Sequence, residues 1–278
     1  MTRRSVLSLL DVDPTKEPMF FGNGLGLQRY DKVKYPKIKQ FAERQRLYYW
    51  SPEEIELSKD KLDFINLSDA DKHIYTKNLQ YQILLDSVQG RALIETIGKY
   101  NSLNELESCI NSWQFFENIH SLSYTHIINN VYDNPSKIFD DIKYDNYIIN
   151  RAASVVEYYN ELLNIKDTAT LKEKWEYLYL TLISINILEG IRFYVSFACS
   201  FAFAEEDKML QSAKILSLIA RDEQIHLQIS QYIINLLKTS ESNYILEGVI
   251  AELEPKVISM YEQAYNDEIE WANYLFKD

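Results

Sequence analysis

The chain has 278 residues, 46% hydrophobic and 25% charged, enough to bury a substantial core and too ordinary in charge for wholesale disorder. Its formal net charge of -12 excludes the basic face with which nucleic-acid binders displace counterions from phosphate, so no nucleic-acid partner is expected. The two cysteines, Cys109 and Cys199, form no C-x-x-C pair, which fits a reduced, cytoplasmic setting.

The apolar start, residues 1–10, is too short for a secretory leader and ends at Asp11 and Asp13. Residues 1–50 read as an irregular arm. Its Gly22, Gly24 and Gly26 lack a preceding strand or a following Lys-Ser/Thr, so a flexible stretch is expected rather than a phosphate loop. Ser51 and Pro52 read as the cap and first position of a helix. Ser68 followed by Asp69 and Asp71 predicts another, running to about Gly98. A third spans about 104–132 and stops at Asn134-Pro135. Shorter helices follow near 136–143 and 145–165, then a long apolar one over 171–203, one ending near Leu237, and a last over 242–276. No proline falls between Pro52 and Pro135 or between Pro135 and Pro255, and no strand-turn-strand rhythm appears, so the chain reads as all-α. The apolar run from Tyr177 to Ala204 carries Glu189 and Arg192, which are costly in lipid, so it reads as a buried core helix and no membrane partner is expected. No repeat or linker divides residues 1–278, so one domain is expected.

Two segments share a chemical spacing: Glu117 with His120, and Glu223 with His226. Residues three apart share a helix face, so each pair can aim a carboxylate and an imidazole at one point. An exposed Glu–His pair on a wet face would be the unremarkable alternative. The neighbours speak against it, because Trp113, Glu117, His120, Tyr124 and Ile127 form one stripe, and Leu216, Ile219, Glu223, His226 and Ser230 another. Asp86 interrupts a third stripe (Leu79, Ile83, Gly90), and Glu189 a fourth (Leu182, Ile185, Phe193, Ser196). Buried carboxylates are expensive unless paired or bound to metal. Four helices offering four carboxylates and two histidines fit the ferritin-like di-metal bundle, and oxygen-rich ligation with two imidazoles suits iron or manganese.

These segments carry a more specific resemblance. Leu84–Arg91 (LLDSVQGR), Glu117–Ile127 (ENIHSLSYTHI), Leu188–Cys199 (LEGIRFYVSFAC) and Ile219–Leu227 (IARDEQIHL) resemble, in order, the ligand segments of the class I ribonucleotide reductase small subunit. Glu17–Gly22 (EPMFFG) and Trp50–Glu54 (WSPEE) are similar to it as well, so the likeness covers essentially the whole chain. The resemblance implies a ferritin-like helical bundle with additional helices. It implies two iron ions per chain, with manganese or a mixed pair as variants: one held by Asp86, Glu117 and His120, the other by Glu189, Glu223 and His226. It implies that Tyr124 becomes a radical when O2 is reduced, walled by Phe193, Phe197 and Ile219, and that Asp222 and Trp50 link His120 toward the surface. A large-subunit partner that reduces ribonucleotides, and a homodimer, follow from the same likeness.

Two departures stand out. Gly190 follows Glu189 where alanine is expected, at about 1 kcal/mol of helix propensity. The sequence ends at Asp278, before the helix and tail by which the family docks on its large subunit. The chain is therefore read as a fragment or as one piece of a split gene, with a separate C-terminal fragment as a candidate partner in the second case, and the chain alone is not expected to support turnover. The rival readings are a ferritin-like di-metal oxidase, an iron store or structural bundle, and an inactive remnant that acts by dimerising.

Overall fold

The computed structural model describes Leu9 and residues 11–277; apart from Leu9, the rejected leader at residues 1–10 lies outside them. Ten α-helices account for most of these residues: α1 (Pro36–Leu47), α2 (Ser58–Asn66), α3 (Asp69–Leu93), α4 (Asn104–Val131), α5 (Pro135–Ile142), α6 (Asn146–Leu163), α7 (Leu171–Ile187), α8 (Tyr194–Glu205), α9 (Leu210–Lys238) and α10 (Tyr244–Leu275). Among the described residues there is no strand, only a single antiparallel bridge between Phe20 and Asn101.

The helix starts follow from their caps. Ser68 accepts from the Asp71 amide, Asn134 from Lys137, and Thr170 and Glu173 form a reciprocal capping box. Helix α9 has no cap of its own, since Met209 sits at φ 52. The fully buried Asp60 of α2 supplies one instead, accepting from Gln211 N at 3.1 Å and Ser212 N at 2.6 Å.

Helices α3, α4, α7 with α8, and α9 pack into a central bundle, with α1 laid on α4 and α9, α6 on α3 and α7, and α10 on α7. The bundle is dry inside: Trp113, Tyr124, Leu79, Ile185, Phe193, Leu216 and Ile219 are at most 1% exposed. The stretch Leu171–Glu205 is long and apolar enough to cross a membrane by composition, but 72% of its most apolar window is buried in the protein.

Four expectations are corrected. Residues 1–50 are not wholly irregular, because α1 forms and buries Ile38, Phe41, Ala42 and Gln45. The helix expected at Pro52 is a single 3₁₀ turn, Pro52–Glu54, and the Ser51 hydroxyl bonds Glu53 rather than capping a backbone amide. The glycine-bearing arm is not loose. Met19 and Phe20 are buried, Gly22 N donates to Ser102 Oγ at 2.7 Å, and Met19 N donates to Glu241 at 2.9 Å. The long helix over 171–203 is not uniform either, because a π-helical turn, Leu188–Arg192, separates α7 from α8. A second π turn, Ile94–Gly98, extends α3 to the expected end at Gly98.

Candidate metal centre

Each central helix delivers one part of the site. Helix α3 carries Asp86, α4 carries Glu117, His120 and Tyr124, the π turn carries Glu189, and α9 carries Asp222, Glu223 and His226. The two three-residue spacings put each Glu–His pair on one inward face. Asp86, Glu117, His120, Glu189, Glu223 and His226 are all 0% exposed.

The six side chains converge as two overlapping quartets with donor atoms within 4.8 Å of one another: Asp86, Glu117, His120 and Glu223; and Glu117, Glu189, Glu223 and His226. Glu117 and Glu223 belong to both, the arrangement needed to bridge two ions. His120 Nδ1 lies 3.0 Å from Glu223 Oε1, 3.6 Å from Glu117 Oε2 and 3.9 Å from Asp86 Oδ2. His226 Nδ1 lies 2.9 Å from Glu223 Oε2, 3.1 Å from Glu117 Oε1 and 3.9 Å from Glu189 Oε2. Trp113 stacks on the His226 ring and donates its Nε1–H to Glu117 Oε1 at 2.9 Å.

Protein atoms alone leave this cluster unsatisfied. Asp86 Oδ1 and Oδ2, Glu117 Oε2, His120 Nδ1, Glu189 Oε2, Glu223 Oε1 and His226 Nε2 lack a well-formed hydrogen bond, although His120 Nδ1 and Glu223 Oε1 face each other at 3.0 Å. Buried polar atoms nearly always have partners, and stripping water from a carboxylate costs several kcal/mol. Four carboxylates with two imidazoles therefore fit two divalent cations, in an oxygen-rich set suited to iron or manganese.

The electrostatics follow from crowding. Burial, then the Glu223 and Glu117 charges, push the Asp86 carboxyl well above its usual range, and the same causes raise Glu189. Burial also acts to raise Glu223, but the facing His120 overcomes it and holds that carboxyl well below the usual range. For His226 burial works downward, yet the Glu117 and Glu223 carboxylates prevail and lift the imidazole to about 9. His120 is raised as well, against burial, chiefly by Glu223. Tyr124 is fully buried with its hydroxyl beside Asp86, and burial followed by the Asp86 and Glu223 charges pushes its phenol well up.

Away from the carboxylates, His120 Nε2 faces Asp222 Oδ2 at 3.5 Å, and the same oxygen accepts from Trp50 Nε1 at 2.8 Å. Arg221 donates to Asp222 Oδ1 from Nε and Nη2, at 3.0 and 2.8 Å. Trp50 is 5% exposed, so the line Trp50–Asp222–His120 runs from near the surface to the cluster. Phe193, Phe197 and Ile219 are in the same dry core, with the two phenyl rings stacked at 5.6 Å. All nine expected site residues thus belong to one constellation. The other two histidines stand apart, His126 bonding Ile55 O and His73 packing on Tyr274. Gly190 lies in the π turn, where an added Cβ would meet the flexible end of Leu227, Cδ1 of α9, at 2.8 Å, so alanine there needs a shift of that side chain.

Sequence reasoning missed Gln89 and Tyr159. Gln89 Nε2 donates to Glu189 Oε1 at 2.5 Å, and Tyr159 Oη donates to Gln89 Oε1 at 2.6 Å. Gln89 stands one turn beyond Asp86 on a stripe already interrupted by a polar residue, a signal that could have marked it. Tyr159 carried none among 21 tyrosines.

Comparison with known proteins agrees with this architecture. The chain matches the family described as "Ribonucleotide reductase, small chain" over residues 28–278. It is 47% identical over 279 residues to the ribonucleoside-diphosphate reductase subunit beta of Buchnera aphidicola subsp. Acyrthosiphon pisum, covering 94% of this chain and 74% of that one. It is 42% identical over 283 residues to the ribonucleoside-diphosphate reductase 1 subunit beta of Escherichia coli O157:H7, covering 96% and 75%. Among solved structures, the ribonucleotide reductase R2 subunit from Clostridium botulinum superposes with a TM-score of 0.85 at 27% identity, covering 99% of this chain and 83% of that chain.

Proposed function

We propose, from the premise that the chain belongs to the ribonucleotide reductase small-chain family, that Asp86, Glu117, His120, Glu189, Glu223 and His226 hold two iron ions beside a radical-forming Tyr124. As a member of that family the chain is the small subunit of a ribonucleoside-diphosphate reductase, an oxidoreductase that acts with a large subunit. The observation that carries the metal reading is the crowding of four carboxylates and two imidazoles, short of well-formed hydrogen bonds, inside a cluster with no exposure to solvent.

When bound, two reduced metal ions supply two of the four electrons that turn O2 into water. Tyr124 is the source of a third. Its raised phenol keeps its proton at neutral pH, so losing an electron also means losing a proton, and the Asp86 carboxylate is the charged group that most affects it. An external one-electron reductant supplies the fourth electron, which enters along the line Trp50–Asp222–His120, with Asp222 fixing the indole and the imidazole through one oxygen. The apolar core holding Phe193, Phe197 and Ile219 keeps water from an oxidised Tyr124, as closed sites protect reactive species.

Manganese suits the same donors, and metal analysis after loading decides between them. The two buried, unpaired cysteines support a reducing cytoplasmic setting. A homodimer is supported by exposed Leu47, Tyr49, Phe115 and Leu122, with Tyr49 and Phe115 stacked at 6.2 Å beside α4. Sedimentation at twice the chain mass is its check.

The test is electron paramagnetic resonance after anaerobic Fe(II) loading and exposure to O2, with iron counted per chain. Two irons and a tyrosyl signal are expected, and Tyr124→Phe should keep the irons and abolish the signal. An unchanged signal in that variant defeats the assignment of Tyr124.

A further inference from the structure

Glu189 stands in a helix segment that is not held by ordinary helical bonding, and its two oxygens face different surroundings. Oε2 has no hydrogen-bond partner and points toward His226 Nδ1, 3.9 Å away. Oε1 accepts from the Gln89 side chain, a neutral amide outside the candidate ligand set. The other end of that amide accepts from the Tyr159 hydroxyl of α6. Gln89 and Glu189 are 0% exposed and Tyr159 is 3% exposed, so no water competes for these bonds.

The order of donors is fixed by chemistry. If the Gln89 amide were turned over, its oxygen would face the lone pairs of Glu189. A phenol donates most readily, so Tyr159 keeps the amide oxygen on its own side and the amide N–H on the carboxylate. Three elements, α3, α6 and the π turn, thus meet in one directed chain of hydrogen bonds ending on a single carboxylate oxygen.

We infer that Gln89, oriented by Tyr159, is a positioning residue that occupies Glu189 Oε1, leaves only Oε2 free for metal, and so sets how firmly one of the two metal positions is held. The inference rests on the two-metal reading above. Glu189 belongs to only one of the two quartets, with Glu117, Glu223 and His226. The effect should therefore fall on one metal and spare the other. Groups that orient a metal ligand from behind typically change metal affinity about 10–100-fold when removed.

The test titrates metal-free protein with Mn(II) alone, following free Mn(II) by electron paramagnetic resonance to resolve two affinities. The wild type is compared with Gln89→Met, which keeps the volume, with Tyr159→Phe, and with the double variant. Expected is a loss of about 10–100-fold in one affinity for Gln89→Met, with the other unchanged, and a smaller loss in the same affinity for Tyr159→Phe. Because Tyr159 acts only through Gln89, the double variant should match Gln89→Met alone, a non-additivity that general loss of packing would not produce. Equal weakening of both metals, additive effects, or unchanged affinities would each overturn the inference. A wild type that binds fewer than two Mn(II) would instead bring down the two-metal reading, and this inference with it.

Discussion

Metal binding at this centre should expel protons in a number set by the site itself. In the metal-free protein burial, with the Glu223 and Glu117 charges, pushes Asp86 and Glu189 up, toward the protonated form. Facing carboxylates raise His120 and lift His226 to about 9, so the His226 ring is cationic at pH 7. A ligand gives up its proton to hold a metal ion, so binding at pH 7 displaces the His226 proton, and the upward shifts of Asp86, Glu189 and His120 act in the same direction. Each displaced proton makes affinity tenfold pH-dependent, so the product of the two binding constants should rise at least about tenfold per pH unit near neutrality. The assay is calorimetric titration of metal into metal-free protein at pH 7, in buffers of different ionisation enthalpy. The slope of apparent against buffer enthalpy gives the protons released per pair of metals. A slope of about one or more is expected, and a slope near zero would refute the protonation scheme.

Stability should follow with a definite sign. His226 has its ordinary value of 6.5 when unfolded and about 9 when folded, so it favours the metal-free fold fully below 6.5 and loses that contribution as pH rises through 9. That is worth about 3 kcal/mol. Glu223, being lowered, acts the other way, but only below its ordinary 4.5. Metal-free protein should therefore melt at lower temperature at pH 9 than at pH 6, while metal-loaded protein gains over the same range. Parallel curves would contradict the scheme.

Asp222→Asn removes the charge and turns one of the two oxygens that receive Trp50, Arg221 and His120 into a donor. We expect retained iron but radical formation slowed more than about tenfold in stopped-flow absorbance, a barrier increase of about 1.4 kcal/mol; an unchanged rate would remove Asp222 from the electron path. Arg192 is 3% exposed, lies 2.7 Å from Asp267 and 3.8 Å from Glu268 of α10, and sits in the π turn. Arg192→Met leaves the half-buried Asp267 without its cation while Glu268 keeps Arg151, and should cost about 2–3 kcal/mol by thermal or urea unfolding; a loss under about 1 kcal/mol would show that the pair is not what holds α10 to the turn.

Much of this was legible because helical spacing is a property of sequence. The Glu117–His120 and Glu223–His226 pairs, and single acids in otherwise apolar stripes, define a site before any fold is known. Caps at Ser68, Asn134 and Thr170 mark helix starts for the same reason: their bonds reach only three residues along the chain. What was hidden depends on crossings or on small register changes. Helix α1 is a mostly polar run whose few apolar residues gain meaning only against α4 and α9. The Gln89–Tyr159 pair exists only because α6 crosses α3, 70 residues apart in sequence. Neither π turn announces itself, since one extra residue blurs the apolar period only locally.

The turn at Leu188–Arg192 has a bearing on ancestry. Such a turn is an ordinary helix with one residue too many. Losing one residue there, Ile191 for instance, would let the ladder close while α7 and α8 kept their packing phase. The carboxylate of Glu189 would then turn by up to roughly 100°, one residue's share of a helical turn, and leave the quartet with Glu117, Glu223 and His226. A single-codon indel would thus separate a bundle with two metal quartets from one of the same shape with the first quartet alone. Searches for relatives that have gained or shed this chemistry should look for that gap, not only for substituted ligands.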